Sequence, residues 1–287
     1  MRRRRGGRGT NKKKKGNNNN NFFLKMWGQM ETTNDIANAS LYDFVVPQSL
    51  YTWQRARIAN ALASNGYDWT RTFARYNSGT YNNQWMALTY SLFVPGQPLA
   101  DGLLWICEQV CCVFFFFFEL LTFNTNEYIN LCTFIYTYIV NQFPAIEYTY
   151  NVSGNAALAA TYGPTLSYDL APRARLFRKM ANQCNNITTT QKFMRYNDYK
   201  NDPLENGDPG WAIMSRFDLE DEPSPSGGYD TKLSNFAMLQ SLSSWVQAGP
   251  THDNVPPFSW DQFPDVVHTG MPLTYNFDWH VIKPQLN

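Results

Sequence analysis

Between residues 49 and 109 the hydrophobic period changes from that of a helix to that of a strand. That change restricts the fold more than any other feature of the chain. Trp53, Ala56, Ile58, Ala59, Leu62 and Ala63 recur at helical spacing, with Ser49 or Thr52 as a start signal and Asn65-Gly66 as a stop. Asp68 is placed to cap a second, shorter helix through Thr72, Phe73 and Tyr76. After the turn at Asn77-Ser78-Gly79, Gln84 to Tyr90 alternate as a strand, and Pro95-Gly96-Gln97-Pro98 leads into a second strand from Gly102 to Gln109. Helix, turn, strand, turn, strand predicts a layered α+β domain rather than a helix bundle. Beyond residue 141, short apolar segments alternate with Pro and Gly. Helices are expected at Asn155–Tyr162, Thr189–Asn197 and Thr231–Ala248, the last from a stripe through Leu233, Phe236, Leu239, Leu242 and Trp245. No repeat or internal linker is visible, so residues 29–287 read as one domain.

Two regions have a different texture. Arg2 to Arg5, Arg8 and Lys12 to Lys15 hold nine of the 24 basic residues before any acid, and an Asn tract at 17–21 follows. Residues 1–28 are therefore expected to be a disordered basic and Asn-rich arm. What remains is 15 basic against 23 acidic residues, a body near −8. That balance argues against a nucleic-acid-binding globule, so no nucleic-acid partner is expected. The second region is 110–140, where five consecutive Phe residues follow Cys111-Cys112-Val113. The run has neither strand nor helix period, and Glu119 and Glu127 interrupt it too early for a membrane span. It reads as an insert foreign to its surroundings, and no stable membrane span is expected.

Generic catalytic signatures are missing: no G-x-S-x-G, H-E-x-x-H, G-x-x-x-x-G-K or G-x-G-x-x-G occurs. The acids Asp218, Glu220, Asp221 and Glu222 sit in a Pro-rich stretch and read as a solvated loop. The five Cys residues (107, 111, 112, 132, 184) form no paired C-x-x-C pattern, and His252, His268 and His280 are scattered. No metal site and no cofactor are expected. An Asn tract stands where a signal peptide would have its apolar stretch, so no signal peptide is visible. Yet Asn38, Asn151 and Asn186 each head an N-x-S/T glycosylation sequon.

Longer words carry more information. They include Met30-Glu31-Thr32-Thr33-Asn34, Asn77-Ser78-Gly79-Thr80-Tyr81-Asn82-Asn83-Gln84-Trp85, and Ala171-Pro172-Arg173-Ala174-Arg175. Met194-Arg195-Tyr196-Asn197-Asp198-Tyr199, Gly227-Gly228-Tyr229-Asp230, Val255-Pro256-Pro257-Phe258-Ser259-Trp260 and His268-Thr269-Gly270-Met271-Pro272 follow. In order and spacing these words, over about residues 29–110 and 141–287, closely resemble the phospholipase B-like family.

The resemblance implies a partial αββα sandwich of the N-terminal-nucleophile hydrolase type, with mostly antiparallel sheets, in a lysosomal or secreted glycoprotein. In that family self-cleavage exposes a Cys whose own α-amino group serves as its base, so no Ser-His-Asp pattern is required. Asn and Thr groups then stabilise the oxyanion and an Arg supplies fixed charge. Carried over by word, Thr33 and Arg173 match the family's active-site threonine and arginine, and Asn141 is nearest to its asparagine. By their bare chemistry, Thr33 also fits a helix cap and Arg173 a turn after Pro172, while Asn82 and Asn83 read as architectural. In the family the nucleophilic Cys and a Gly-His-Thr-Thr-Trp word precede the Glu-Thr-Thr word; here Asn-rich sequence occupies that side. Cys107 replaces an apolar strand residue and Cys184 is expected in a surface loop. The expected partners are a phospholipid or other acyl or amide substrate and the missing N-terminal part of the family fold. Without that part the chain is expected to be inactive. The alternative is a catalytically dead lipid- or glycan-binding remnant.

Overall fold

The computed structural model describes residues 27–110, 113–117 and 147–285. Its centre is an antiparallel four-stranded sheet ordered β1 (Trp27–Thr33), β2 (Asn83–Thr89), β3 (Leu104–Val110), β4 (Val113–Phe117). The first part of the Phe run thus continues the sheet, with Val110 opposite Val113 and Ile106 opposite Phe117. Residues 113–117 pair as a strand where the period predicted none, while 111–112 and 118–140 of the expected foreign insert lie outside the described residues.

One face of the sheet is covered by α1 (Thr52–Leu62) and α2 (Gly66–Ala74). Ala59, Ala63, Trp69 and Phe73 from these helices pack on Trp85, Ala87 and Trp105. Gly66 permits the close approach, since a Cβ there would lie 2.5 Å from Trp105 Cδ1. Gln54 Oε1 accepts from the Tyr51 amide to cap α1. Asn65 caps α2 by accepting from Asp68 N at 2.8 Å, so Asp68 lies inside the first turn rather than at the cap. The other face, with Met86, Leu88, Leu104 and Ile106, packs against Phe236 and Leu239 of a short helix described below.

The second half supplies α3 (Glu147–Val152), α4 (Asn155–Tyr162), α5 (Pro172–Met180) and α6 (Ile187–Met194). The expected helix at 231–248 is instead β5 (Thr231–Leu233), α7 (Phe236–Gln240) and β6 (Ser244–Gln247). Asn235 is extended and caps α7, and Leu242 at φ 51° breaks the helical path. The strands on either side then pair, Leu233 opposite Trp245. β9 (His280–Ile282) joins β6, and Phe177, Phe193 and Leu233 form the core beneath this small sheet. A two-stranded ribbon, β7 (Phe258–Ser259) with β8 (Thr274–Tyr275), gathers Phe258, Trp260, Phe263 and Tyr275 into a separate cluster. The architecture is α+β with antiparallel sheets. Among the described residues no helix is long and apolar enough to cross a membrane.

Candidate functional site

At one end of the central sheet the apolar rungs give way to polar ones. Thr33 lies opposite Asn83, Thr32 opposite Gln84, and Gln84 opposite Glu108. Side chains alternate across a strand, so Thr32, Gln84 and Glu108 continue the Met86–Ile106 face, whereas Thr33, Asn83 and Gln109 continue the face of α1 and α2. Gln84 and Glu108 are fully buried and joined by Gln84 Nε2 donating to Glu108 Oε1 at 2.7 Å. Gln109 Nε2 donates to Thr80 O and Asn82 Oδ1. Its Oε1 accepts from Arg55, whose guanidinium also donates to Leu50 O, Phe73 O and Thr52 Oγ1 and lies 4.3 Å from the Phe73 ring centroid. Burial lowers the Arg55 pKa to about 10.

Immediately past Thr33, Asn34 donates its backbone N–H to Asn82 O at 2.9 Å, which turns its side chain inward. Asn34 is 2% exposed, and neither its Oδ1 nor its Nδ2 has a hydrogen-bond partner among the described residues. Gln84 Oε1 and Asn83 Oδ1 are in the same condition. The following loop is pinned by Asn155 Nδ2 donating to Asp35 O at 2.8 Å and by Asn38 N donating to Ser153 O at 2.8 Å. Close by in sequence, Thr149 Oγ1 and Asn155 Oδ1 are also buried without partners among the described residues. Left without any partner, water included, each such atom would cost about 1–3 kcal/mol, so their concentration at one strand end makes it a candidate site for a polar group. The partners of Gln84 Nε2 and Asn155 Nδ2 are oxygens, which fixes their other atoms as acceptors.

Arg173 is the second residue of α5, after Pro172 at the first helical position, where a missing N–H costs nothing. Its Nε donates to Ala212 O at 3.0 Å and its Nη2 to Ser215 Oγ, which in turn donates to Gly210 O at 2.7 Å. Burial lowers the Arg173 pKa. Two fully buried arginines have acid partners: Arg216 forks onto Asp218 at 2.7 and 2.6 Å, and Arg195 Nε lies 3.7 Å from Asp253. Asp218 is therefore a buried ion-pair partner rather than part of a solvated loop. Arg173 has no ion pair among the described residues.

Thr33 ends a strand, not a helix, and its side chain is exposed. No hydrogen bond or ion pair joins it to Arg173. The path between them runs from the Asp35–Asn155 contact through α3, where Tyr150 Oη donates to Leu166 O and its ring meets Tyr168 at 5.5 Å, to α5. Asn141 lies outside the described residues. Asn38, Asn151 and Asn186 are all exposed. Asn38 Oδ1 accepts from Ser40 Oγ, and Asn186 caps α6, but Ser153 of the Asn151 sequon is fully buried and bonded to Tyr150 O. Cys184, expected in a surface loop, is buried, and burial pushes its thiol to about 11. Burial also raises the Cys107 thiol, so neither has the character of a poised thiolate. Among the described residues no group of His, Cys, Asp and Glu is arranged to hold a metal. Asn34, Gln84, Glu108, Asn155 and Ser215 were not singled out by sequence reasoning. The only signal was the polar run Asn82-Asn83-Gln84 at the head of an otherwise apolar strand.

A family model described as Phospholipase B matches residues 24–282. Phospholipase B-like 1 of Rattus norvegicus is 38% identical over 259 residues, covering 90% of this chain and 45% of that protein. Phospholipase B-like 1 of Homo sapiens gives the same identity and coverage, and Phospholipase B-like protein B of Dictyostelium discoideum is 38% identical over 262 residues, 87% of this chain and 43% of its own length. The chain spans less than half the length of these curated relatives.

Proposed function

The chain belongs to the phospholipase B family, and from that premise we propose that it forms the substrate-side wall of a hydrolase that removes acyl chains from phospholipids or cleaves related amide bonds. The observation that carries this reading is a coincidence of two independent facts. The family words at Thr33-Asn34 and at Arg173 fall where the fold leaves buried carboxamide atoms without partners and a guanidinium without an acid. The one carboxamide donor of the strand end without a partner among the described residues, Asn34 Nδ2, suits an oxyanion, and an arginine without an acid partner suits a phosphate or carboxylate. The attacking thiol of an N-terminal cysteine, with its own α-amino group as base, comes in this reading from polypeptide corresponding to the relatives' other half, within an αββα sandwich. Thr33 and Arg173 then face that thiol, and Asn141 is the third group. Glycosylation at the exposed Asn38, Asn151 and Asn186 accords with a lysosomal or secreted protein.

The test is complementation. The chain alone is expected to release no fatty acid from phosphatidylcholine. Combined with the N-terminal portion of a relative it is expected to do so, and Arg173→Ala is expected to lower that rate at least about a hundredfold, the scale of removing one oriented electrostatic group. Steady release by the chain alone, or a complemented rate indifferent to Arg173→Ala, contradicts the reading. The buried thiols at Cys107 and Cys184 favour one second reading, a lipid- or glycan-binding remnant; it predicts ligand binding with no turnover even after complementation.

A further inference from the structure

A cavity of about 240 Å³ opens beside the β7–β8 ribbon, framed by Tyr229, Phe258, Trp260 and Met271. No charged side chain lines it. Several of its polar groups are already engaged. Gly228 N donates to Ser215 O at 2.8 Å, Pro250 O accepts from Arg195 Nη2 at 2.8 Å, and Pro225 and Pro250 have no N–H. Tyr229 Oη is engaged with Tyr275 Oη at 2.5 Å, and Ser226 Oγ with Ser224 Oγ at 2.9 Å. A phosphate or ammonium group entering here would lose its water and meet no opposite charge in exchange. Trp260 Nε1 has no partner among the described residues but is itself buried, so what Trp260 offers the cavity is its ring. The segment bearing Met271, which is 51% exposed, also exposes Val267 (88%) and Leu273 (53%), so apolar surface continues outward from the mouth. Met271 itself is an adaptable wall for a chain of variable shape.

We propose that this cavity binds the unbranched hydrocarbon chain of an acyl group. A hydrocarbon chain suits walls of rings, prolines and a thioether. The choice of an acyl group rests on the hydrolase reading above; the apolar nature of the occupant does not. The cavity wall also meets the Arg173 cluster, because Ser215 accepts from Gly228 through its carbonyl and from Arg173 through its hydroxyl.

The experiment is calorimetric titration of the 287-residue chain with straight-chain carboxylates of increasing length, and in a second arm with lysophosphocholines of matched length. Affinity is expected to rise about fourfold per added methylene until the cavity is filled, and then to level off. The arm that binds more tightly identifies free acid or lipid as the source of the chain. Met271→Asp, at a half-exposed position that leaves folding intact, is expected to weaken the longest ligands at least about tenfold, because a chain seated in the cavity would strip water from the new charge. Met271→Leu is expected to restore them. Affinity independent of chain length in both arms, or unchanged in Met271→Asp, overturns the proposal. Binding is read without turnover, so chain-length-dependent binding in a complex that hydrolyses nothing refutes the hydrolase reading and leaves the cavity assigned. Hydrolysis without such binding does the reverse.

Discussion

Replacing Glu205 by Gln changes how stability depends on pH. Glu205 is fully buried; its Oε2 accepts from Asp198 N at 3.0 Å, while Oε1 has no partner among the described residues. Burial raises its carboxyl from 4.5 to about 7; the Asp198 amide opposes this, the charges of Asp202 and Asp198 add to it, and Lys179 opposes it most weakly. The folded state therefore holds this proton in a pH range where the unfolded chain has released it. The favourable contribution is fully present below pH 4.5 and is lost as pH rises through about 7. A shift of that size corresponds to ~3 kcal/mol, lost across this window. Asp202, whose pKa is lowered with help from Lys179 at 2.6 Å and the Tyr196 hydroxyl at 2.7 Å, acts in the opposite sense and below its ordinary 3.8. The two effects are separable. Glu205→Gln carries a constant cost for its new amide group but no titration, so the slope rather than the absolute stability is diagnostic. Urea unfolding from about pH 4 to about pH 8 is expected to show wild type losing ~3 kcal/mol more than the variant. Profiles that run parallel refute the assignment of this proton to Glu205.

Two further substitutions probe the frame of the site. Arg55→Lys removes the fork that binds Phe73 O, Leu50 O and Gln109 while leaving a buried charge, and should cost about 3 kcal/mol in denaturant unfolding. Gly154→Ala, at φ 88° with its Cβ 2.9 Å from Asn38 N, should cost about 1–3 kcal/mol and lower the melting temperature.

The parts of the fold legible in the sequence are those decided locally. α1, α4, β2 and β3 lie where period and punctuation put them, because Asn65-Gly66, Gly154 and Gly163 break the chain without tertiary help. Residues 231–248 were misread because Leu233, Phe236, Leu239 and Trp245 satisfy a helical period as well as a strand–helix–strand path. The pairing of Leu233 with Trp245 decides between them. At the candidate site, residue words located Thr33 and Arg173, but nothing local distinguishes Asn34 from any loop asparagine. Its importance lies in being buried without partners, which depends on Asn82 across the sheet and on Asn155 at the far side of the loop. For the same reason Arg173 could not be told from Arg195 or Arg216 by sequence: what separates them is which has an aspartate within reach.

Asn34→Leu gives the most direct test, because a structural role and a functional role move it in opposite directions. Leu is close in shape and removes two unsatisfied buried atoms, so stability of the chain should hold or rise by about 1 kcal/mol. Acyl release after complementation should fall at least about a hundredfold. If the variant keeps its full complemented rate, the strand end at Thr33 and Asn34 is not the wall of the catalytic cleft.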